Sequence, residues 1–216
     1  MLEQKSGVYV RKAAYATAAP VVRELMGRSG LDFRGKRVLV KPNILSGNAP
    51  ERGVTTHPAI VSAVVDFLVD AEADVSVGDN PGIDGYGASY KAAQKAGIVE
   101  ASRGRFTNLV LESRSVAVRS KHFNSLVISR AVLDADLIVN LPKFKTHGLC
   151  IYTGAVKNMF GMLVGAEKAR IHAAGVTPER FGEALVDVFA VRPPELSLID
   201  GVDAMEGNGP ADGKIR

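Results

Sequence analysis

The chain has 216 residues, 46% of them hydrophobic, with a net charge of +4 and a pI near 9.2. That is enough apolar material for one hydrophobic core, so the sequence predicts a single α/β domain over 1–216. The single cysteine, Cys150, excludes an internal disulfide, and no iron–sulfur cluster is expected on this chain, because such clusters take about four thiolates.

The opening MLEQKSGVYV lacks the basic-then-apolar order of a leader, and no apolar run approaches the roughly 18 residues of a membrane span. A cytoplasmic protein with no membrane partner is expected. "KRVLVKPN" (36 to 43) has the pattern of a buried strand stopped by Pro42. "THPAIVSAVVDFLVDA" follows as a helix, with Thr56 as the expected N-cap, Pro58 in the first turn and Ile60, Val61, Val64, Val65 and Leu68 on one face. "ADVSVGDN" (73 to 80) is the second strand. Residues 108 to 134 alternate apolar and polar positions around Val116 and Val118, which predicts an antiparallel excursion. "ADLIVNLP" (135 to 142) and "ELSLIDG" (195 to 201) are the third and fourth strands. Between them, "AEKARIHAAG" reads as a helix with Lys168 and His172 on one face, and "TPERFGEALVDVFAV" as another, capped by Thr177 and burying Phe181, Leu185, Val188 and Phe189. The end, "DGVDAMEGNGPADGKIR", is expected to be a glycine-rich loop. The order predicts an open, mostly parallel sheet flanked by helices.

Parallel strands joined by right-handed crossovers place their carboxyl ends along one edge, where open α/β sheets bind ligands. The residues just past the strand ends are Lys41 and Asn43; Asp79 and Asn80; Asn140, Lys143, Lys145 and His147; and Asp200 with Asp203. His57, at the start of the first long helix, joins the same rim.

Residues 141 to 172 carry a net +4, equal to that of the whole chain. Lysines beside glycine turns suit a phosphate or carboxylate, since both field and amide donors favour an anion. Apolar neighbours such as Phe144, Met159 and Phe160 predict that burial lowers their pKa values, so Lys157 is the leading catalytic candidate, with His147 as its proton-transfer partner. Residues 195 to 212 carry −5 with no basic residue, and Asp200, Asp203 and Glu206 are candidate ligands for a divalent metal such as Mg²⁺ or Ca²⁺. There is no Walker A sequence, no G-x-G-x-x-G after a strand, no G-x-S-x-G elbow and no paired-cysteine site. Aromatics are 6%, and the acidic stretch repels a phosphate backbone, so no nucleic-acid partner is expected.

"VLVKPNIL", "GVTTHPAIVSAVVDFL", "VGDNPG", "ADLIVNLPKFKTHGLCIYTGAVKNMFGML" and "LSLIDGVDAMEGNGP", in this order, resemble the prokaryotic domain-of-unknown-function family three-six-two over residues 7 to 212. The resemblance implies motif positions at Lys41, Asn43, His57, Asp79, Asn140, Lys143, Lys145, His147, Lys157, Asn158, Asp200, Glu206 and Gly207. It also implies that longer members continue into a further α/β portion, some with a ferredoxin-like segment. Three functions are therefore expected to compete. The first is an enzyme for a small anionic metabolite, in which Lys41, Asn43, His57, Asp79, Asn140, Lys143, Lys145 and Asn158 bind the ligand and Lys157 and His147 carry acid–base chemistry. The others are an electron-transfer or maturation component with an iron–sulfur protein partner, and a non-enzymatic anion sensor or scaffold.

Overall fold

The computed structural model describes residues 7–81, 88–175 and 177–216. In chain order the elements are α1 (Ala18–Gly27), β1 (Arg37–Pro42), α2 (Pro58–Asp70), β2 (Asp74–Val77), α3 (Ala88–Lys95), α4 (Ile98–Ala101), β3 (Ser113–Ala117) and β4 (Ser125–Ser129). They continue with α5 (Arg130–Asp134), β5 (Leu137–Leu141), β6 (Lys143–His147), β7 (Ile151–Thr153), α6 (Ala155–Asn158), α7 (Glu167–Ala174) and α8 (Pro178–Val191). Last come β8 (Leu196–Ser197), β9 (Asp200–Glu206) and β10 (Lys214–Ile215).

The main sheet is parallel throughout, in the order β2-β1-β5-β8. Its central strand β1 is buried from Val38 to Pro42, as a parallel strand covered on both faces must be. Successive side chains divide between two cores. Val38 and Val40 join Val61, Val64, Val65 and Leu68 of α2 and Val22 and Met26 of α1. Leu39 and Ile138 point the other way, onto Leu126 and Ile128 of β4, Phe160, and Phe181, Leu185 and Val188 of α8. The β3–β4 hairpin is the expected antiparallel excursion. The predicted α/β class is therefore borne out, and the two long helices start at the predicted prolines.

Four local expectations need correction. Thr56 does not cap α2: His57 does, its Nδ1 accepting from the amide of Ala59, while the Thr56 hydroxyl spans the crevice floor, accepting from the amide of Asn43 and donating to the carbonyl of Leu141. Phe189 is only partly buried, unlike Phe181, Leu185 and Val188. The third strand, expected over 135 to 142, ends at Leu141 and is followed directly by β6. Pro142 has no amide to continue the ladder, and beyond it the chain enters a second sheet, ordered β10-β9-β6-β7. The fourth strand divides in the same way: β8 pairs with β5 for two residues, and β9 then pairs parallel with β6. One parallel pair thus runs through both sheets. The glycine-rich end is accordingly not a loop, because β9 and β10 form an antiparallel pair.

The β6–β7 hairpin, in which His147 pairs with Ile151, is held by an unfavourable backbone. Ile151 has φ 65°, and its side chain is 76% exposed, so the strain is not repaid by burial. Ile151→Gly should raise stability by about 1 kcal/mol, measured by denaturant unfolding, because glycine reaches this conformation without a Cβ clash.

Candidate functional site

Three lysines lie almost wholly inside the protein at the edge where β1 and β5 end. Lys41 is 0% exposed, and Lys143 and Lys145 are each 1% exposed. Burying a lone ammonium costs several kcal/mol, so each needs a partner or must lose its proton. Lys41 Nζ meets Asp79 Oδ1 at 2.6 Å, and Asp79 Oδ2 accepts from the amide of Ile44 at 2.9 Å. Lys143 Nζ lies 3.0 Å from Asp200 Oδ2 and 2.6 Å from the hydroxyl of Tyr15. Lys145 has no carboxylate partner among the described residues. Its Nζ donates to the carbonyl of Val54, and burial, reinforced by Lys157, lowers its pKa to about 7.

Tyr15 went unnoticed in the sequence. Its ring stacks on His57 with centroids 3.6 Å apart, and its hydroxyl donates to Asp200 Oδ1 at 3.1 Å. Burial and Asp200 raise its pKa far above the ordinary tyrosine value. Asp200 also accepts from the His57 amide at 2.9 Å. Asp200 is therefore a structural counter-charge, while Glu206 faces Arg216 in an exposed pair. The structure does not gather Asp200, Asp203 and Glu206 around one point, and among the described residues no three histidine, cysteine or acidic side chains are placed to share a metal ion.

A cavity of about 320 Å³ opens beside these pairs, lined by Asn43, Asp79, Asn80, His147, Lys157, Asn158, Lys168 and His172, with Leu45, Pro81, Phe160 and Ala169 as its apolar wall. Of the residues expected from the sequence, Asn43, Asp79, His147, Lys157 and Asn158 reach it. Lys41 and Asn140 sit behind it, whereas His57, Lys143 and Lys145 belong to the Tyr15 and Val54 side. Gly82, the last residue of the "VGDNPG" motif, lies outside the described residues.

Among the described residues Lys157 Nζ has no hydrogen-bond partner and rests 5.0 Å from the ring centroid of Phe160. Burial is the main cause of its lowered pKa, and Lys41 adds to it. Lys168 Nζ donates to the carbonyl of Asn80, and burial brings its pKa to about 7. His147 Nδ1 accepts from the amides of Leu149 and Cys150, at 3.2 and 3.4 Å. Burial, then Lys157 and Lys145, lower its pKa to about 4. A neutral ring with Nδ1 as acceptor carries its proton on Nε2. Asn158 Nδ2 donates to the carbonyl of Lys41 and to Asn140 Oδ1, at 3.1 and 2.8 Å. Asn140 Nδ2 is taken by Ala155 and Ser197, which fixes both amides. The oxygens Asn43 Oδ1 and Asn158 Oδ1 are buried with no donor among the described residues.

The Lys41–Asp79 pair packs against Gly161, where a Cβ would overlap both side chains. Removing one partner strands the other charge. Asp79→Asn should cost about 3 kcal/mol in denaturant unfolding, whereas the double change Lys41→Met with Asp79→Leu should cost clearly less than the single change.

Three comparisons place the chain among known proteins. It is 36% identical over 224 residues to "Thylakoid-associated protein sll1697" of Synechocystis sp., an alignment that takes in 98% of this chain and spans 66% of that relative. A crystal structure of a protein from Thermotoga maritima superposes over 97% of the chain and 56% of its own, with a TM-score of 0.58 and 12% identity, a likeness of fold alone. The model of the family described as Domain of unknown function (DUF362) matches residues 38–216, more than half of the chain. The chain belongs to this family.

Proposed function

We propose that the protein is a cytoplasmic enzyme that binds a small carboxylate or phosphate metabolite in the cavity between β1, β6 and α7, and uses Lys157 as its base. One observation carries this reading: Lys157 is the cavity lysine without a hydrogen-bonding partner among the described residues, while Lys41, Lys143, Lys145 and Lys168 each have one. A basic group left uncommitted in an apolar recess suits a ligand better than it suits folding. The roles divide by protonation state. Lys168, which titrates at about 7, supplies positive charge to the anion. Lys157, its pKa lowered by burial, is shifted toward the free amine that a base requires. His147, neutral above about 4, offers its Nε2 proton as a hydrogen-bond donor.

The buried pairs Lys41–Asp79 and Lys143–Asp200 then hold the wall rather than the ligand. The unpartnered oxygens of Asn43 and Asn158 suit a ligand that brings a donor beside its anionic group. Described helices include none long and apolar enough to cross a membrane.

The test uses calorimetry with lactate and inorganic phosphate, and thermal unfolding in parallel. Lys157→Ala should weaken binding at least about tenfold with the melting temperature nearly unchanged, since the side chain holds no structural bond. Affinity for lactate should fall by about tenfold from pH 6 to pH 8, because Lys168 loses its proton as pH rises through about 7. A large loss of stability with unaltered binding would remove the assignment. Stable association with a ferredoxin and no small-molecule binding would favour the electron-transfer or maturation reading instead.

A further inference from the structure

We propose that Lys157 forms an imine with a small carbonyl compound that also carries an anionic group, either a 2-oxo acid or an aldehyde phosphate. This rests on the anion-binding reading above and adds a covalent step at one atom. Imine formation needs an unprotonated amine at the open face of a small cavity, a second group for the anion, and a donor for the carbonyl oxygen. Lys157, Lys168 and His147 line the same 320 Å³ cavity and supply these three functions.

Nothing among the described residues occupies the amine. Lys157 Nζ meets no carboxylate and no carbonyl, and its nearest aromatic neighbour is Phe160. It stands close enough to Lys41 and Lys145 to feel their charge, and a cluster of ammonium groups in an apolar recess favours the member that sheds its proton. Of the two lysines that line the cavity, it is the one without a hydrogen-bond partner among the described residues. Lys145, whose pKa is lowered to about 7, is 1% exposed and turned to Val54, so it is shut off from a substrate.

The step balances without an oxidant or reductant. The lone pair of Lys157 Nζ adds to the carbonyl carbon, and the C=O π pair moves to oxygen, which receives a hydrogen bond from His147 Nε2. The nitrogen gives up a proton and the oxygen gains one, leaving a carbinolamine. The nitrogen lone pair then forms the C=N bond as the C–O bond breaks, and the hydroxyl leaves as water with the nitrogen's second proton, so both amine protons end on the departing oxygen. Asn43 and Asn158, with buried side-chain oxygens lacking donors, can accept from the carbinolamine hydroxyl and the departing water.

The intact protein, incubated with sodium cyanoborohydride and either pyruvate, glyoxylate or glycolaldehyde phosphate, tests the step by peptide mass spectrometry. Hydride transfer to the C=N bond converts the imine into a stable secondary amine. Expected is a reduced adduct on Lys157 in at least one arm, with label on every other lysine at least about tenfold lower, and the arm that reacts distinguishes carboxylate from phosphate. Lys157→Arg, whose guanidinium stays protonated and cannot form the imine, should lose the adduct entirely. Lys168→Gln should keep the adduct but require about tenfold more carbonyl compound for half-labelling, consistent with the loss of one charged contact. Anion binding without an adduct in any arm overturns the imine and leaves the anion reading intact. Labelling spread over surface lysines, or an adduct that survives in Lys157→Arg, also overturns it. Absence of both binding and adduct removes both readings.

Discussion

Burial of Lys41, Lys143 and Lys145 is the constraint around which the crevice is organised. All three are at most 1% exposed, and each is accommodated differently. Lys41 is neutralised by Asp79, itself fixed by the amide of Ile44. Lys143 is neutralised by Asp200, which also ties Tyr15 and the start of α2 to β9. Lys145 lacks a counter-ion among the described residues and has its pKa lowered to about 7. Gly161 follows from the same constraint, since only a residue without a Cβ leaves room for the Lys41–Asp79 pair. A cost of several kcal/mol per buried charge makes these pairs unattractive as mere stabilisers. Their effect is to fix the crevice wall beside a cavity whose own lysines, Lys157 and Lys168, have no carboxylate partner among the described residues.

The second sheet explains how these groups come together. Leu141–Pro142 and Ser197–Asp200 carry β5 and β8 out of the main sheet and into β6 and β9, still side by side and parallel. Lys143 faces Asp200 through that register. The fold therefore uses one continuous parallel pair to place a lysine and its carboxylate at the mouth of the crevice. His147, the last residue of β6, then reaches the cavity, with its ring oriented by the Leu149 and Cys150 amides of the turn that follows.

Much of this was legible in the sequence where the signal was local. Apolar runs ended by Pro42, Asp79 and Pro142 marked three of the parallel strands, and Pro58 and Pro178 marked the starts of both long helices. The rule that ligands gather at strand carboxyl ends found Asn43, Asp79, Asn80 and His147, the buried basic stretch found Lys157, and the family resemblance implied Asn158, all of which line the cavity. What stayed hidden depends on partners far apart in the chain. Net charge over 195 to 212 suggested a metal site, but Asp200 is spent on Lys143 and Tyr15, Glu206 on Arg216, and Glu195 on Arg192. Tyr15 carries no motif of its own and became visible only through its 3.6 Å stack on His57. His57 displaced Thr56 as the cap of α2 because the Thr56 hydroxyl is drawn to Leu141, another long-range contact.

The central claim is that Lys157 and Lys168, not the fully buried lysines, face the ligand. A crystal structure grown at pH 6 with lactate or inorganic phosphate examines it directly. The account predicts ordered anion density within hydrogen-bonding distance of Lys157 Nζ and Lys168 Nζ, with the Lys41–Asp79 and Lys143–Asp200 pairs unbroken. An anion bound at Lys143 or Lys145 with those pairs opened, or found only outside the cavity, would contradict it.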